Sequence, residues 1–122
     1  MPRLIVKRAD DDTEIWSLEV ADSWLKRLVG LIGRPSLEAG TGLYFPGTNS
    51  IHMLFMRFAI DCVFLRPAEK NAKVYEVVAV RPDLKPWTGV VWFVRRARST
   101  IELTAGSAAK AGIKVGDQLT LS

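Results

Sequence analysis

The chain has 122 residues but only one cysteine, Cys62, and one histidine, His52. A single cysteine excludes an internal disulfide and gives no support for a cross-linked secreted scaffold. A single histidine excludes the H-x-x-x-H spacing of zinc helices, and no C-x-x-C pair occurs. No Gly-x-Ser-x-Gly turn, phosphate loop or dinucleotide fingerprint is present. No apolar run approaches the roughly 18 residues of a membrane span. The first apolar run, Leu4 to Val6, is too short for the core of a signal peptide. These absences lead to the expectation of a cytoplasmic, soluble protein with no membrane partner, no metal and no cofactor.

What is present suits one domain over residues 1–122. Hydrophobic residues make up 48% and charged residues 25%, which allows an ordinary core without a metal or disulfide to hold it. The net charge of +4 permits an anionic partner without requiring one.

Periodicity places the elements. Arg3 to Arg8 and the alternating stretch from Glu14 to Val20 predict a hairpin, with Asp10-Asp11-Asp12 as its turn. Trp24, Leu25, Leu28 and Ile32 share a helical face, so residues 22–32 predict a short amphipathic helix that ends at Gly30 and Gly33. Gly42 to Phe45, Ile60 to Leu65, Val74 to Val80, Val90 to Val94, Thr100 to Thr104 and Gln118 to Leu121 read as strands, with 60–65 and 74–80 paired. Pro67 to Ala72 reads as a turn. The prolines at 82 and 86 predict a loop over 81–86, since proline cannot donate to a ladder. Ser107 to Ala111 predicts a second short helix. The sum is an α+β domain, mainly antiparallel, with about seven strands in a partly closed barrel or sandwich and two short helices.

Several of these residues recur together. Arg27-x-x-Gly30-Leu31, Gly42-Leu43-x-Phe45, His52-x-x-Phe55-Met56, Ile60-Asp61-x-x-Phe64, Glu102-x-x-x-Gly106 and Gly116-Asp117 are the pattern of one family. Over about residues 14–121 the chain resembles the proteins catalogued as domain of unknown function 192. The resemblance implies a compact α+β domain dominated by antiparallel strands and carries no activity with it.

The candidate chemistry centres on Thr48 to Leu65. Asp61 lies between apolar neighbours and needs a partner if buried; Arg57, His52 or an arginine from Arg95, Arg96 and Arg98 could serve, and an arginine is the expected one. Alone, His52 could act as a base. With Met53, Met56 and Cys62 it offers soft ligands, but methionines near aromatics are more often core filler. Cys62, on an interior strand, is expected to be a buried, inert thiol. The candidate ligand-binding set is therefore His52, Met56, Arg57, Asp61, Arg96 and Arg98, with no catalytic residue assigned. The leading functional expectation is a non-enzymatic binding or accessory domain for a small anionic ligand or a protein partner. Alternatives are a small hydrolase using His52 and Asp61, or weak nucleic-acid binding through the basic and aromatic segment 87–98.

Overall fold

The computed structural model describes residues 3–20, 40–48, 51–52, 59–68, 71–85, 90–91 and 94–122. The helix expected at 22–32 lies outside them. Nine strands and one short helix are described: β1 (Arg3–Arg8), β2 (Glu14–Val20), β3 (Thr41–Pro46), β4 (Ile51–His52), β5 (Ile60–Ala68), β6 (Asn71–Leu84), β7 (Val90–Val91), β8 (Ser99–Thr104), α1 (Ser107–Lys110) and β9 (Gln118–Leu121). Seven strands close a barrel in the order β1-β2-β3-β8-β5-β6-β9, and β4 with β7 forms a separate two-stranded ribbon. Only β2 and β3 run parallel within the barrel. Closure leaves no unpaired edge among the seven described barrel strands.

The hairpin of β1 and β2 turns on aspartate, as its sequence implies. The Asp11 carboxylate accepts the Thr13 amide at 2.9 Å, and Asp12 adopts φ 60. β5 and β6 are also paired, but both are longer than periodicity suggests: β6 runs through Arg81 and Pro82 to Leu84. The ladder slips between Ile60 and Cys62, opposite this end of β6, and Asp83 there has φ 53. Proline is tolerated at such an irregularity because the ladder asks less of its missing N–H. Likewise β5 continues through Pro67 to Ala68, so the turn is confined to fewer residues than 67–72.

Side chains alternate between two faces along each strand. One set fills the barrel: Val6, Trp16, Leu18, Tyr44, Val63, Leu65, Ile101, Leu103 and Leu119, with Ala108 of α1 and Ile113 against it. The other set lies on the outer face of β3, β8, β5 and β6: Leu43, Phe45, Ile60, Cys62, Phe64 and Ala79, joined by Val94 and Ala97. The wall formed by these four strands is thus buried on both sides. Polar and apolar residues alternate along β8, yet Ser99 to Leu103 is buried throughout.

Gly42 shows how tightly β3 meets β8. A Cβ there would run into the carbonyl oxygen of Glu102 and come within 2.8 Å of Leu103 Cδ2 and 3.1 Å of Leu18 Cδ2. Gly42→Ala should destabilise by about 1–3 kcal/mol. An unchanged urea midpoint in this variant would show that β3 and β8 can move apart freely.

Candidate functional site

Two carboxyl groups are buried in the wall, and they face opposite ways. Asp61 is 1% exposed and follows the alternation of Val63 and Leu65 toward the barrel interior. Its Oδ1 accepts the Asp83 amide at 2.9 Å, and its Oδ2 accepts the amides of Gly106 and Ala108, each at 3.0 Å. Gly106 is the N-cap of α1, has φ 92, and supplies no side chain to cap the helix. Asp61 caps it from β5 instead, satisfying amides that the helix leaves unpaired. The arginine expected as partner is not among these three bonds. Arg98 lies further along β5, where its amide donates to the Leu65 carbonyl at 2.7 Å; at the strand rise this is about 13 Å of ladder from Asp61. Arg57 lies outside the described residues. Ile60-Asp61 and Glu102-x-x-x-Gly106, separate in the sequence, thus meet through the hydrogen bond from Gly106 to Asp61.

Glu102 is the second buried carboxyl, 5% exposed. In the ladders it stands opposite Leu43 on one side and Cys62 on the other, which puts it on the apolar outer face. Among the described residues it makes no hydrogen bond or ion pair. Burial pushes its carboxyl from 4.5 up to about 8, so the neutral acid predominates at pH 7. A neutral carboxyl in an apolar layer can donate a hydrogen bond that an ionised one cannot.

Cys62 beside it is fully buried. Burial pushes its thiol well up, and the charges of Glu102 and Asp61 add to the effect. A thiol held this way is a poor nucleophile. Iodoacetamide should modify Cys62 only after unfolding, and rapid labelling of the native protein, followed by mass spectrometry, would contradict the burial.

The β4–β7 ribbon is rooted on the same outer face. The Thr100 hydroxyl donates to the Thr48 carbonyl at 2.7 Å, just before β4, and Val94, just after β7, belongs to the outer cluster. His52 pairs with Val90 in that ribbon. Met56 lies outside the described residues. Arg95, Arg96 and Arg98 are exposed on the turn that carries Val94 and Ala97 onto the outer face. Arg96 has φ 72, a left-handed backbone that is uncommon outside glycine. Of the candidates whose side chains are described, Asp61 lies apart from Arg96 and Arg98. Asp61 is bound to backbone at the α1 end, while the arginine turn and the ribbon belong to the outer face around Glu102. Glu102 is the buried acid that sequence reasoning missed; the one signal for it was its place in the Glu102-x-x-x-Gly106 pattern. Among the described residues no group of three histidine, cysteine or acidic side chains could hold a metal. No helix among them is long and apolar enough to cross a membrane.

These features define a small closed β-barrel with an acid buried between its wall and an outer layer. The chain belongs to the family catalogued as domain of unknown function 192, described as Uncharacterized ACR, whose model matches residues 5–121. Two solved structures share the fold. One is a proposed transcription regulator from Sinorhizobium meliloti 1021, with TM-score 0.78 and 19% identity over 98% of this chain and 92% of that one. The other is a protein of unknown function from Novosphingobium aromaticivorans DSM 12444, with TM-score 0.75 and 20% identity over 96% of this chain and 82% of that one. No curated protein matches the chain.

Proposed function

We propose that the protein is a small non-enzymatic binding module acting in the cytoplasm, with its ligand face on the outer layer around Glu102. The observation that supports this most is the environment of Glu102. It is a buried acid on an apolar face with no bond to any described residue, whereas Asp61, equally buried, is fully bonded. A carboxyl shifted by burial, with no bond to a described residue, is a candidate functional group. The neutral form donates to a carboxylate or carbonyl of a ligand, and the positive charge expected from Arg57, Arg96 and Arg98 attracts an anion toward it. A hydrolase using His52 and Asp61 is less well supported, because Asp61 would have to leave three amides to act as a base.

The test is binding of small carboxylates, acetate and benzoate, followed by backbone amide shifts on both sides of the Glu102 ionisation. Binding is expected at pH 6 and should weaken about tenfold or more by pH 9, as the site becomes anionic. Glu102→Gln should bind equally at both values. Identical binding of the wild-type protein at pH 6 and pH 9, or no binding at either, would remove Glu102 as the recognition group.

A further inference from the structure

A second site stands apart from Glu102, between α1 and the start of β2. A groove of about 280 Å³ opens there, lined by Glu14, Ile15, Trp16, Gly40, Ser107, Lys110 and Ala111. Its floor is apolar, since Trp16 is buried and Ile15 half-buried. Its walls carry opposite charges from different elements, Glu14 on β2 and Lys110 on α1. Lys7 stands opposite Glu14 in the β1–β2 ladder. Even so, among the described residues neither Glu14 nor Lys110 makes an ion pair. Ser107 adds a hydroxyl that can donate or accept.

The groove is also held in shape. Asp61 fixes the start of α1 through Gly106 and Ala108. Arg8 fixes its end by donating to the Ala111 carbonyl. The Ser17 amide donates to the Gly40 carbonyl at 3.0 Å and holds the remaining edge. A groove that needs little ordering on binding loses less affinity to entropy.

We infer that this groove binds a free α-amino acid with an apolar side chain, taken as its zwitterion. Glu14 receives the ammonium group, Lys110 and the Ser107 hydroxyl receive the carboxylate, and the side chain lies over Ile15 and Trp16. An anion alone would meet Glu14, and a cation alone would meet Lys110, so the pair selects a ligand carrying both charges. The inference does not depend on Glu102.

The experiment titrates the intact protein with L-leucine and follows the amide signals of Glu14 to Trp16 and Ser107 to Ala111, together with the Trp16 indole. Saturable shifts confined to these groups are expected. N-acetyl-leucine lacks the ammonium group and leucinamide lacks the carboxylate; each should bind at least about tenfold more weakly. Glu14→Gln and Lys110→Met should each weaken leucine by a similar factor. Both side chains are exposed, so the melting temperature should not change and serves as the folding control. No saturable shift with leucine, or equal shifts with N-acetyl-leucine, would overturn the inference. So would full leucine binding by either variant.

Discussion

Glu102→Gln should make the protein more stable at pH 9 by about 5 kcal/mol and leave it unchanged near pH 4. The carboxyl titrates at 4.5 when exposed and at about 8 in the folded chain. Its folded value is raised, so folding favours the protonated form. The stability tied to that form is complete below pH 4.5, falls as the unfolded chain ionises, and is fully lost once pH passes 8. A difference of 3.5 between these values, at 1.36 kcal/mol for each, gives about 5 kcal/mol, and about 3 kcal/mol at pH 7. Glutamine keeps the shape and hydrogen-bonding reach of the neutral acid and has no charge to desolvate. Urea unfolding of both proteins between pH 4 and pH 9 measures the effect. The two stability curves should meet at low pH and separate steadily above pH 4.5. Parallel curves would mean that the folded carboxyl ionises as freely as the unfolded one, and would remove the basis for a neutral Glu102 at the binding face. Since stability alone favours glutamine there, a loss of carboxylate discrimination in the same variant would tie the acid to function.

The hairpins were legible in the sequence because their signals are local. Asp11 bonds its own turn, and the alternation of Trp16 and Leu18 is that of a half-buried strand. Barrel closure is a different matter. It needs β2 beside β3 in parallel and β9 between β1 and β6, pairings between segments far apart in the chain that leave no local mark. The end of β6 reads as loop because Pro82 breaks a regular ladder; the slip opposite it accommodates the proline, and a slip cannot be seen without the partner strand.

The site was legible in part for the same reason. Thr100, Glu102 and Thr104 alternate with apolar residues, and the covered outer face, formed by segments distant in sequence, is what buries Glu102. The need of Asp61 for a partner followed directly from its apolar neighbours. The identity of the partner did not follow. Arginines are visible in a sequence, whereas the amides of Asp83, Gly106 and Ala108 belong to the backbone and carry no label. The glycine of the Glu102-x-x-x-Gly106 pattern was the nearest clue, since a left-handed N-cap there turns its amide toward β5.

Asp61→Ala should destabilise the protein by about 3–5 kcal/mol at neutral pH. Three amides lose their acceptor at once: those of Asp83 and Gly106, which water can partly reach, and that of Ala108, which is buried. A buried donor left unpaired costs about 1–3 kcal/mol, and partial access to water reduces the sum. Asp61→Asn should cost less, about 1–3 kcal/mol. Its single oxygen can still accept from Gly106 and Ala108, but its amide group then faces the Asp83 N–H, donor against donor. Hydrogen exchange locates the damage. Protection should fall at Asp83, Gly106, Ala108 and Lys110 in the alanine variant, because both carboxylate oxygens are gone and α1 has lost its cap, and only at Asp83 in the asparagine variant. Had Asp61 held an arginine side chain, the asparagine variant would instead strand a charge and leave the Asp83 amide as protected as in the wild type. Exchange at Asp83 therefore separates a backbone clasp from an ion pair, and an unchanged Asp83 amide in Asp61→Asn would overturn the clasp.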